Sequence, residues 1–184
     1  MLNEILSLLE TPDNRSQRVN QLLKYATYLD NQISDAVLEI SKRNVKQEDT
    51  IHIAGLARIS KLSEVLADQT GDLFGIIHQL KEKSINLSLE SKVAIKETLV
   101  PCEKNLTILR ESFPEISDSS DAAMRSQDEI LRNDLTWQYQ QYLTRLSSGK
   151  SPSGSTFSLV LFQIELMAAT IREIRKSSRL LVKR

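Results

Sequence analysis

Apolar residues along this chain recur at steps of three and four, the spacing that lines one side of an α-helix. Val19, Leu22, Leu23, Ala26, Leu29, Ile33, Ala36, Val37 and Ile40 form one such stripe, which predicts a first helix ending near Lys42. Ile51, Ala54, Ile59, Leu62, Leu66, Leu73, Ile77 and Leu80 predict a second, from Gln47 to about Lys83. A helix of that length needs a long partner on each side to bury its stripe. A third is expected to begin around Ser88 and to reach about Ser112, bent near Pro101 because proline removes a backbone donor and crowds the preceding turn. "FPEISDSSD" (113–121) reads as a linker. The fourth helix, from about Ala122 to Leu146, carries Met124, Ile130, Leu131, Leu135, Tyr139, Tyr142, Leu143 and Leu146. The polar "SSGKSPSGS" (147–155) then leads to a fifth.

No stretch alternates with strand periodicity over more than a few residues. Long helices with short polar connections bury their stripes against one another, so the expected fold is an all-α antiparallel bundle. A short N-terminal segment, 1–13, precedes one helical domain, 14–184, with approximate halves 14–84 and 85–184. The halves share layout more than letters, which suggests two three-helix repeats around one core.

Composition agrees with this picture. Only five glycines, four prolines and 5% aromatic residues are spread over 184 positions. Lys plus Arg and Asp plus Glu both number 24, so no net field draws the molecule to nucleic acid. The single cysteine, Cys102, has no partner within the chain for a disulfide, and a reducing compartment is the simpler expectation. The longest apolar run, "FSLVLFQIELMAA" (157–169), is broken by Gln163 and Glu165, short of the roughly eighteen apolar residues a membrane span requires.

Candidate chemistry concentrates in "SEVLADQTGDLFGII" (63–77), where Glu64, Asp68 and Asp72 are spaced by four and share nearly one helix face. Three readings stand: a solvated face, a site for a hard divalent cation such as Mg²⁺, Mn²⁺ or Ca²⁺, or a contact for a basic partner. A single helix rarely completes a cation's oxygen shell, so a second must contribute; Asp30, Asp35 and Asp128 are the candidate acids. Gly55, Gly71 and Gly75 place small residues along the same helix, as if another backbone came close. Near the end of the chain Arg172, Arg175, Lys176 and Arg179 form one basic face, suited to a phosphate, an acidic helix or lipid headgroups, and equally to the helix dipole.

Other residues carry less. His52 and His78 lack ligand spacing, Trp137, Tyr139 and Tyr142 read as bundle packing rather than base stacking, and Cys102 has no nearby base to activate it. No phosphate loop, nucleophile elbow or nucleotide fingerprint is present, so an enzyme is not expected.

"ARISKLSEVLADQTGDLFGII" (57–77), with Asp68, Gly71 and Asp72 in the places of an acidic helix motif, resembles the signature helix of the PhoU-like family of phosphate-uptake regulators. "SQDEILRNDLTWQYQQYLTRLSSG" (126–149) and "LVLFQIELMAATIREIRKSSRLL" (159–181) are similar to the end of the cytoplasmic PhoU-like region of bacterial sodium-dependent phosphate cotransporters. The resemblance implies a non-catalytic regulatory domain at the inner face of the membrane, partnered by a transport protein or attached membrane domain, holding a cation on helix carboxylates. The chain departs from that pattern in its last helix, where Glu165 and Glu173 flank Ala169 and neither has an acid four residues away. The alternative is a structural or adaptor bundle acting by protein contact alone, and a homodimer through an exposed stripe is compatible with either.

Overall fold

A computed structural model describes residues 1, 2, 4, 5, 9, 16–43, 46–83, 87–148 and 154–182. Five helices account for nearly all of them: α1 (Ser16–Ser41), α2 (Gln47–Glu82), α3 (Leu89–Ser112), α4 (Asp118–Ser147) and α5 (Gly154–Val182), with no strand among the described residues. Residues 10–15, the approach to α3 at 84–86, residues 149–153 of the connection 147–155 and the last two residues lie outside the described residues.

Local chemistry explains the helix starts. Ser88 accepts a hydrogen bond from Ser91 N at 3.1 Å and opens α3. Ser117 does the same with Ser120 N, also at 3.1 Å, and acidic Asp118 and Asp121 follow in the first turn, where they complement the helix dipole. Helix α4 therefore begins four residues before the expected Ala122, and the linker shrinks to residues 113–117 with a cis Phe113–Pro114 peptide. Pro101 lies buried inside α3, which remains one helix on both sides of it.

Packing makes α5 the hub. It lies against α2, α3 and α4, while α3 also packs on α4 and α1 packs on α2. Helix α2 thus has the two long partners its length demands, α1 on one side and α5 on the other, and this packing crosses the 84/85 division between the expected halves. The core runs along these contacts through Leu73, Ile77, Ile95, Leu99, Met124, Leu131, Leu161, Ile164, Met167 and Ile171. Leu2, Ile5 and Leu9 are also buried in it. Those three residues of the opening segment therefore belong to the core. Gly55 and Gly71 are the close approaches along α2: a β-carbon on Gly55 would stand 2.5 Å from Leu181 Cδ2, and one on Gly71 would stand 2.9 Å from Leu23 Cδ1. Gly75 faces open space.

Candidate functional site

The carboxylates of α2 separate into two environments. Glu64 faces α1 and is engaged by Lys61, while Ser60 donates a 2.8 Å hydrogen bond to Asp30 of α1 and Lys61 Nζ stands 3.8 Å from the same carboxylate. The hydrogen bond from Lys61 holds the Glu64 carboxyl below its ordinary range, and that pairing raises Lys61 in turn. Asp68 and Asp72 stand exposed on the same helix. Among the described residues, no group of three or more His, Cys, Asp or Glu gathers in a way that could hold a metal ion. The structure thus brings Asp30 to Glu64, and it carries Asp128 elsewhere, into the contact of α4 with α3 and α5.

The basic residues of α5 also part company. Lys176 is exposed and pairs with Glu173 at 2.7 Å, and Glu173 in turn meets Arg58 of α2 at 3.3 Å. Arg175 is buried. Its Nη1 lies 3.2 Å from Asp128 and its Nε 3.5 Å from Asp121, both acids of α4. Arg179 follows one turn later, 2.7 Å from Asp118 and 3.8 Å from Asp121, and Arg125 reaches Asp121 along α4 at 2.9 Å. Asn105 of α3 donates to Asp128 at 2.9 Å. Burial pushes the Asp128 carboxyl above its ordinary range, against the pull of Arg175, Arg172 and Asn105. Arg175 Nε and Nη1 and Asn105 Oδ1 find no aligned hydrogen-bond partner among the described residues, so Arg175 is held as an ion pair rather than a bidentate fork.

This charge network was hidden in the sequence because each member looks like a solvated surface residue. The available signal was two facing rows, Asp118, Asp121 and Asp128 against Arg175 and Arg179, at helical spacing. The network locks the register of α4 on α5, with Asn105 drawing in α3.

The remaining singletons have ordinary structural partners. His52 Nε2 lies 3.0 Å from the Leu181 carbonyl oxygen, and His78 stacks on Phe74 with ring centroids 5.8 Å apart. Cys102 is buried and its thiol is pushed up to about 12, chiefly by burial, which makes it a poor nucleophile. Trp137 is exposed, whereas Tyr139 and Tyr142 pack against the core as expected.

The most unusual surface belongs to α1. Of its 26 residues only Val19 and Asp30 are buried. The packing face turns toward α2 through Leu23 and Asp30, Val19 is buried in the core, and the rest of the apolar stripe lies to one side. Leu29, Ile33 and Ile40 are exposed at 41%, 39% and 38%, with Tyr25 and Tyr28 stacked beside them at 6.4 Å. Between this stripe and α2 runs a groove of about 430 Å³, lined by Ala26, Leu29, Ile33, Leu56, Ile59 and Phe113 among others. Leu56 and Phe113 are themselves exposed. The result is a continuous apolar trough with acidic Asp30 and Glu64 at its wall.

Comparison with protein-family models, with curated proteins and with solved structures finds no match to this chain. What stands on the fold is a generic all-α bundle of five long helices, none of them long and apolar enough among the described residues to cross a membrane.

Proposed function

We propose that this protein is a non-catalytic helical contact domain, an adaptor or structural bundle whose business is binding another polypeptide through the trough between α1 and α2. The observation that carries this reading is the uncovered apolar stripe of α1, since large apolar side chains gathered around a groove mark an interaction surface. The buried charge network supports it from the other side, because its acids and arginines are consumed in holding helices together and do not converge on an open cavity. A photoreactive amino acid in place of Tyr25 tests the reading in cells, with the same probe at exposed Leu143 of α4 as control. Adducts to a polypeptide chain from Tyr25 and none from Leu143 are expected. Equal labelling from the two positions would falsify the proposal.

A second reading keeps the PhoU-like resemblance: regulation of phosphate transport at the membrane, with a divalent cation on Glu64, Asp68 and Asp72. In its favour stand the exposed positions of Asp68 and Asp72, one turn apart on α2. It requires a ligand set from beyond this row, because Glu64 is already engaged by Lys61. Calorimetric titration of Mn²⁺ separates the two: a stoichiometric heat lost in Asp68→Asn/Asp72→Asn would carry the cation reading, and its absence would remove it.

A further inference from the structure

The stripe on α1 has more order than general apolarity. Val19, Leu22, Ala26, Leu29, Ile33, Ala36 and Ile40 alternate steps of three and four without a break, the seam of a coiled coil. Val19, Ala26, Ile33 and Ile40 take one core position, and Leu22, Leu29 and Ala36 take the other. Helix α2 covers only one flank of this seam, the flank of Leu23, Asp30 and Val37. The opposite flank carries Arg18, Tyr25, Gln32 and Glu39 and faces solvent.

A second copy of α1 laid antiparallel completes the seam. When Ala26 is set opposite Leu29 of the second copy, Leu22 meets Ile33, and Val19, buried in the core of its own chain, ends the free seam. The two central layers therefore place a large side chain on a small one, which is how facing helices interdigitate. In the same register Arg18 comes beside Glu39 of the second copy, and twofold symmetry makes this pair twice; Tyr25 comes beside Gln32. The parallel arrangement offers no such match, since it would set Arg18 beside Leu23 and Gln32 beside Val37. Within one chain Glu39 meets Lys42 at 3.0 Å, both largely exposed, so that pair is exchanged at small cost, whereas Arg18 meets the buried Glu4 at 3.0 Å and must keep that contact while its exposed side reaches Glu39 of the second copy. The groove beside Ala26, floored by Ile59 and edged by Leu56 and Phe113, is where Leu29 and Ile33 of the second copy would be received.

We infer that the protein forms a twofold-symmetric homodimer in which α1 pairs antiparallel with α1 of a second copy, over the α1–α2 groove. This rests on the contact reading and names its partner. Helix α1 spans about 39 Å at 1.5 Å per residue over its 26 residues, long enough for several core layers. Such an isologous interface closes on itself and leaves no free end for further growth.

The test is sedimentation velocity combined with hydroxyl-radical footprinting of Tyr25, Leu29, Ile33 and Phe113, on wild-type full chain at dilute and concentrated protein. A dimer whose formation coincides with protection of these four side chains is expected. Ile33→Asp should weaken dimerisation by about 100-fold or more, because the side chain enters the interface twice, with helix content retained. Arg18→Glu and Glu39→Arg should each weaken it several-fold and should restore it together, even though the double variant does not rebuild the Arg18–Glu4 pair. A monomer at all concentrations with the four side chains reactive overturns the dimer and leaves the contact reading intact. A monomer with them protected overturns both, since the face is then closed by its own chain. A dimer in which the charge exchange fails to restore affinity overturns the antiparallel register.

Discussion

A β-carbon added at Gly75 would meet nothing within 4 Å, whereas one added at Gly71 would press on Leu23. Both substitutions gain helix propensity, about 1 kcal/mol for glycine to alanine. Gly75→Ala should therefore raise stability by about that amount in urea unfolding, and Gly71→Ala should fall short of it because Leu23 must move from its seat. At the buried network the sign reverses. Arg175→Met leaves the acids of α4 without their buried cation, and a loss of about 3 kcal/mol is expected in the same measurement, at the lower end for breaking a buried pair because Arg179 and Arg125 still face Asp121. These two residue types were unequally readable. The glycines announce a close approach wherever they sit in a helix, and two of the three make one. Arg175 announced a basic face and proved to be interior, because its partner acids are near only once α4 has folded back along α5.

Among the elements, α1 depends on the smallest set of neighbours, and its polar attachment to α2 carries a pH signature. Lys61 holds Glu64 below its ordinary value of 4.5 and is itself raised above 10.5. The carboxylate's contribution is present above pH 4.5 and lost as pH falls through its lower folded value; the lysine's is present below 10.5 and lost as pH rises through its higher one. The pair therefore stabilises across a plateau between these limits. Asp128 works in the opposite sense, since a carboxyl raised by burial favours the folded state as it protonates. Melting temperatures taken from pH 7 down to pH 3 should fall less in Glu64→Gln than in the wild type, and equal slopes would remove Glu64 from the account. Helix existence was legible from the stripes alone. The start of α4 was not, because "SDSSD" has loop composition and its meaning depends on Ser117 acting as a cap. The separation of Glu64 from Asp68 and Asp72 was equally hidden: a spacing of four groups all three, and only the position of α1 divides them.

For the whole molecule, one helix gathers the others. Leu161, Ile164, Met167 and Ile171 are fully buried along α5, which packs on α2, α3 and α4. Ile164→Ala should cost about 2–5 kcal/mol and should shift the unfolding of α2, α3 and α4 together in one transition. Hydrogen exchange that quickens in α3 and α4 but fails to respond in α2 would contradict that unity. The all-α class and the long-partner requirement of α2 followed from periodicity, whereas the core role of Leu2, Ile5 and Leu9 did not, since their steps of three and four cover barely two turns of a segment in which Leu6 and Leu8 are apolar as well. The position of the hub also sets a timetable. During synthesis α5 follows the helices it joins, and its 29 residues take about 1.5–6 seconds to make at roughly 5–20 residues per second. Until it arrives, the inner faces of α2, α3 and α4 have no common surface to close upon, and the nascent chain is at its most vulnerable to capture and aggregation just before α5 is translated.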